Sequence, residues 1–297
     1  MDAEIIEKYR KAGRIAAEAR EYAKTLVKKG ASILEICEKV DEKIISLGAN
    51  PAFPTQISMN DVAAHFCPEN NDKTVLNDEL VNIDIGVHVN GYIGDCAFSV
   101  DLLGKNEEIV KASEMALKSV SELLKEGIKL KDIGREIERV IESFGFIPIK
   151  NLSGHGLDEY IVHAVPTIPN FNNHDEAELE RGMVFAIEPF ATNGSGIVEE
   201  RGNPSVFAIK EIKPARIDFV RKILKQLELY NGLPFTKRWL KFPEAQINFA
   251  FKQFENMGIL HKYPPLAEVN KGLVSQAEDT FLIDDDGKVE CLTKPQF

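Results

Sequence analysis

Residues Leu80 to Val100 read LVNIDIGVHVNGYIGDCAFSV, and the two aspartates Asp84 and Asp95 are the first sign of chemistry in the chain. Apolar and polar residues alternate about Asn90-Gly91, a pair suited to a two-residue type I′ turn because both positions need φ > 0. With that turn, Val89 faces Tyr92, Gly86 faces Asp95 and Asp84 faces Ala97. Asp84 and Asp95 become diagonal neighbours on one face, their Cβ atoms no more than ~7–8 Å apart. Two like charges on a half-buried strand pair repel each other and lose hydration. Either both point to solvent, or one stays protonated, or a cation compensates them. The flanking Ile, Val, Phe and Gly weaken the solvent reading.

Three more groups could join them. Ser153-Gly154-His155-Gly156 sets a histidine between glycines, where backbone can crowd close to a ligand; alone, such a histidine is more often a hydrogen-bonded structural residue than a metal ligand. MVFAIEP places Glu188 at the end of an apolar strand, held extended by Pro189. LVSQAEDTFLI places Glu278 in another strand, just before an apolar run. Glutamate within an apolar strand is rarely left unpaired. Four carboxylates and one imidazole suit hard-to-borderline divalent ions, not a thiolate zinc site. A charge of −4 is offset by two such ions, leaving a bridging hydroxide to attack. In such sites the ions lie ~3.5–4 Å apart and bring a water pKa towards ~7. His88, on the hairpin, reads as a surface or cross-strand residue, while His174 and His261 read as loop and insert residues.

A scaffold must bring these residues together, and an internal repeat supplies one. Gly30 to Gly48 and Gly127 to Gly145 each span glycines 18 apart. Between them Ile33 matches Leu130, Ile36 matches Ile133, Val40 matches Ile137, Ile44 matches Ile141 and Leu47 matches Phe144. The spacing is helical, with a closing glycine as C′ cap. Upstream of each copy lies another helical pattern, Ile5 to Lys28 and Glu107 to Lys125, and downstream come strand-like runs. Two α-α-β halves, 97 residues apart, predict a pseudo-twofold α/β domain with its site between the halves.

The second half is interrupted. Lys210 to Leu229 reads as a basic helix and Glu244 to Asn256 as another, with strand character resuming near Leu273. Residues 201–245 hold ten Lys/Arg against four Asp/Glu, a local net of +6. An inserted helical subdomain follows from this.

The whole chain of 297 residues is acidic, with 36 Lys plus Arg against 47 Asp plus Glu. That balance argues against a dedicated nucleic-acid binder. The first residues have no signal-peptide character, and no window approaches a membrane span. Cys37, Cys67, Cys96 and Cys291 are scattered without a C-x-x-C pair and read as reduced core thiols of a cytoplasmic protein.

NDVAAHFCP, NIDIGVHVNGYIGDCA, SGHGLDEYIVHAVPTIP, GMVFAIEPF and SQAEDTFLI, in this order and spacing, resemble the methionine aminopeptidases. The insert, with LPFTKRWLKF and GILHKYPPL, is similar to the type 2 branch, in its archaeal form without a long charged N-terminal extension. The resemblance implies an α/β (α+β) pita-bread fold with an inserted winged-helix-like subdomain. The catalytic domain would take residues 1–204 and 264–297, the insert 205–263. It implies two divalent ions, of cobalt, manganese, iron or zinc. Asp84 would chelate one, His155 and Glu188 the other, with Asp95 and Glu278 bridging. Glu188 would also shuttle a proton from the bridging water. His163 would contact the scissile carbonyl, His65 the substrate amine and leaving group, while Phe53 and Val162 would border the methionine pocket. Substrates would be N-termini of nascent polypeptides with a small second residue, so this chain, with Asp2, should keep its own methionine. Non-catalytic pita-bread proteins have lost metal ligands, whereas all of them stand here. Prolidases carry a large N-terminal domain, and only about eighty residues precede Asp84. The basic insert either docks on ribosomal RNA or is a solvated helix face.

Overall fold

The computed structural model describes residues 1–294. Helix α1 (Ala3–Leu26) leads into α2 (Ile33–Ser46), and α3 (Glu107–Leu123) into α4 (Leu130–Ser143). The repeat is therefore real in three dimensions. Its first four matched apolar pairs are buried on both copies, while Leu47 and Phe144 are half-buried. Gly48 and Gly145 close α2 and α4 with φ of 79° and 81°. Glycine adopts this left-handed conformation without a Cβ penalty.

Each helix pair covers one half of the β structure. Ile15, Ala19, Ile33, Val40 and Ile44 pack with Ile83, Ile85 and Cys96 in one core. Ala116, Val120, Ile133, Ile137 and Ile141 pack with Phe185, Ile187 and Phe281 in the other. Strand Leu80–Val89 pairs with Tyr92–Asp101 without a bulge, and also with Asn50–Pro51 and Gln56–Met59. The second half carries a five-stranded sheet ordered Val289–Cys291, Asp279–Ile283, Val184–Ile187, Ser153–Asp158, Ile161–Pro169. Every strand pairing among the described residues is antiparallel.

The interruption is less helical than its composition implies. Helices α5 (Asp218–Glu228) and α6 (Glu244–Met257) pack on a three-stranded sheet of Phe235–Thr236, Val206–Ile209 and Leu260–Tyr263. Residues 210–217 are irregular: Pro214 disrupts a helix there and Ile217 is extended. Strands return at Leu260, well before Leu273; two- to four-residue strands are too short for a legible period. Phe207, Ile223, Leu227, Phe235, Phe251 and Phe254 give this region its own core. No described helix is long and apolar enough to cross a membrane.

Candidate metal centre

The hairpin places its aspartates as its sequence dictates. Asn90 and Gly91 turn with φ of 52° and 93°, and the register pairs Gly86 with Asp95 and Asp84 with Ala97. Asp95 is buried and Asp84 half-buried. The second half contributes the rest. His155 stands on Ser153–Asp158; Glu188 follows Val184–Ile187 directly. Glu278 lies not in a strand but between Val274–Gln276 and Asp279–Ile283, tied to Ala97 by an isolated antiparallel bridge.

These five side chains converge on one cavity of about 200 Å³. Ligand atoms of Asp95, His155 and Glu278 all lie within 4.8 Å of one another. His155 Nε2 is 3.6 Å from Glu188 Oε1. Gln276 Nε2 donates to Glu188 at 3.3 Å and to Glu278 at 3.5 Å. Asp84 Oδ1 and Asp95 Oδ1 are buried with no hydrogen-bond partner.

Crowding sets the protonation of the carboxylates. Burial raises Asp84 to about 7. Burial, then the charges of Asp84 and Glu188, push Asp95 well above the usual carboxylate range. Burial and neighbouring carboxylates do the same to Glu188 and Glu278. His155 is lowered to about 3 by burial and by His163, so its ring is neutral and free to ligate. Buried carboxylates with orphaned oxygens, beside a neutral imidazole, are unfavourable unless protonated or compensated by cations. The donor set is oxygen-rich with one nitrogen and fits divalent ions of the Mn, Fe, Co or Zn type.

The cavity wall holds the other candidates. His163 stands beside His155, ring centroids 4.7 Å apart. His65 has φ of 66°, uncommon for a residue with a side chain, and its N–H donates to Gln56 Oε1 at 2.6 Å. Burial, then His163 and His261, lower His65 to about 4. Phe53 and Val162 line the same cavity from a shared apolar cluster.

Sequence reading missed Gln276, Gln56, Tyr263 and His261. Gln276 ends the strand Val274–Gln276, two residues before Glu278, and its side-chain amide donates to both glutamates. Tyr263 meets His65 edge-on at 5.5 Å and His163 at 6.4 Å. His261, read as an insert residue, packs on Tyr263 at 4.4 Å and so belongs to the site's outer wall. Only the fold brings that strand to the cavity. His88 is cross-strand: its Nδ1 accepts from Gly91 N–H at 3.1 Å. Cys37, Cys67 and Cys96 are buried free thiols, and Cys291 is half-buried.

The chain is similar to known proteins over most of its length. The profile of metallopeptidase family M24 matches residues 7–223. A methionine aminopeptidase of Archaeoglobus fulgidus is 46% identical over 97% of this chain and 98% of its own. Among solved structures, a thermophilic Arx1 superposes with a TM-score of 0.86 at 16% identity, covering 100% of this chain and 92% of that one. A methionine aminopeptidase from Thermotoga maritima gives 0.73 at 22% identity, covering 99% and 98%. The two structural likenesses bear on the fold, which is the pita-bread architecture.

Proposed function

We propose that this chain, which belongs to metallopeptidase family M24, removes the N-terminal methionine from polypeptides whose second residue is small, as a type 2 enzyme with two metal ions working in the cytoplasm. It is a metal-dependent aminopeptidase. Asp84 would hold one ion, His155 and Glu188 the other, and Asp95 and Glu278 both. The observation that carries this reading is the convergence of four carboxylates, two of them on buried residues, on a neutral imidazole, with two carboxylate oxygens orphaned. When bound, the ions supply a water activated at neutral pH and polarise the peptide carbonyl.

The remaining work falls to the chain's own groups. Glu188, which accepts from Gln276 Nε2, would take a proton and return it to the leaving amine. Neutral His163 and His65 can offer ring N–H groups to the scissile carbonyl and the leaving nitrogen. Phe53 and Val162 present apolar surface to the methionine side chain. The strand Leu260–Tyr263 closes the cavity with Tyr263, a wall the insert alone provides and the feature behind the type 2 reading.

Met-Ala-Ser and an Xaa-Pro peptide, each assayed on chelator-stripped protein with and without Mn²⁺ or Co²⁺, test the proposal. Metal-dependent release of methionine from the first is expected. Cleavage of the Xaa-Pro peptide in preference, or of neither, overturns it.

The basic residues of 201–245 support docking near emerging chains on ribosomal RNA. Sedimentation with ribosomes should weaken steeply with salt; no binding at any salt rejects the docking.

A further inference from the structure

We infer that Arg20 is a positioning residue for Asp95 and Glu278, fixing from behind the sheet the backbone from which both carboxylates project. The inference rests on the reading that these two side chains bind metal.

Arg20 lies on α1 and is buried. Its Nη1 donates to the carbonyl of Glu278 at 3.2 Å and to Asp279 Oδ1 at 2.7 Å, and its Nη2 donates to the carbonyl of Thr293 at 2.7 Å. Thr293 Oγ1 donates to the same Asp279 oxygen at 2.7 Å and accepts from Thr280 N–H at 3.0 Å. Thr280 Oγ1 in turn donates to the carbonyl of Asp95 at 2.7 Å and accepts from Asp95 N–H at 2.8 Å. One guanidinium thus reaches Glu278 directly and Asp95 through Asp279, Thr293 and Thr280.

Glu278 needs such support. It is outside regular strand, and its backbone meets Ala97 by two longish bonds of 3.2 and 3.3 Å. Whenever more than one of the four clustered carboxyls is ionised, their like charges push apart the segments that carry them. Asp95 belongs to the first half of the fold and Glu278 to the second, so that push acts on the seam between them. Arg20, on α1 of the first half, reaches across the seam to Glu278, Asp279 and Thr293. Asp279 balances its charge, so its influence on the site is geometric, through three donors in a planar fork. Groups of this kind behind metal ligands affect affinity by about 10–100-fold.

Arg20→Gln, Arg20→Lys and Thr293→Val, with Arg238→Gln as a buried-arginine control away from the cavity, decide the matter. Manganese affinity is measured by calorimetry on chelator-stripped protein, alongside the melting temperature of the same metal-free samples. Arg20→Gln should bind Mn²⁺ at least fivefold more weakly, and Thr293→Val should weaken it in the same direction. Arg20→Lys should recover part of the loss, since one ammonium can reach Asp279. Arg238→Gln should melt lower yet bind Mn²⁺ as the wild type does. A change below fivefold in Arg20→Gln overturns the inference, as does equal weakening in Arg238→Gln. Should Arg20→Gln not fold, Thr293→Val carries the decision, and unchanged affinity there overturns it. Wild-type protein that binds no Mn²⁺ sinks the metal-site reading as well, a pattern distinct from variants that match a binding wild type.

Discussion

The Phe53 ring fills the space that a side chain on Gly86 would need: a Cβ there would lie 2.2 Å from Phe53 Cε1. Gly86 is also the cross-strand partner of Asp95, so one position joins the apolar wall to the carboxylate cluster. Gly86→Ala must displace the Phe53 ring from its place on the cavity wall while leaving every ligand residue unchanged. The KM for Met-Ala-Ser should rise about tenfold or more, the scale set by one misfit group in an apolar pocket. Manganese stoichiometry should stay at the wild-type value. An unchanged KM would show that Phe53 does not border the substrate.

His65 combines a strained backbone with a buried neutral ring. Strain of this kind costs about 1–3 kcal/mol and is retained where the side chain has a task. His65→Gly removes the strain along with the imidazole. Activity should fall about 10²–10⁴-fold, while thermal stability holds or rises. Full activity in the glycine variant would remove His65 from the chemistry.

The carboxylates fix how the metal-free protein responds to pH. Folded Asp84 keeps its proton up to about pH 7, far above the ordinary aspartate range. Asp95, Glu188 and Glu278 are raised well above their usual values. Above the unfolded carboxylate pKa the unfolded chain therefore binds fewer protons, and stability falls as pH rises through the folded values. Buried His65, His155 and His163 act oppositely, but only below the ordinary imidazole pKa of about 6.5. Between pH 6.5 and 8 the carboxylates prevail. The metal-free melting temperature should drop across that window, and saturating Mn²⁺ should flatten the drop. A metal-free melting temperature that climbs from pH 6.5 to 8 contradicts the crowded cluster.

Asp41 ties the insert to the first half. It accepts from Thr55 N–H and Oγ1 and from Trp239 Nε1, and pairs with Arg238 at 3.4 Å. Removing one partner leaves the other charge buried alone. Asp41→Ala should cost about 3–5 kcal/mol, read from urea unfolding. The single tryptophan, Trp239, gives a local fluorescence signal. An altered emission spectrum before global unfolding is expected, and coincidence with wild type on both measures speaks against the tie.

How much of this was open to a sequence reader depended on distance along the chain. Asp84 and Asp95 could be placed relative to each other because a two-residue turn fixes the register locally. The paired helices showed themselves through period and closing glycines. Glu278 was recognisable as an acid just before an apolar run, but its position between strands depends on Ala97, far away in sequence. Gln276, Tyr263 and Arg20 gave no local signal, since each acts only through residues that the fold brings from elsewhere. The strands of the insert stayed hidden for a different reason: they run two to four residues.

Arg201 N–H donates to the carbonyl of Pro265 at 2.8 Å, so the chain leaves the catalytic body and comes back at adjoining points. Such an excursion can be shortened and closed by a few turn residues while Glu188 and Glu278 keep their anchors on either side. What would go is the panel carrying Val206, Pro234 and Tyr263. A trimmed protein of this design would keep its ions yet stand open on one flank, less choosy about what enters.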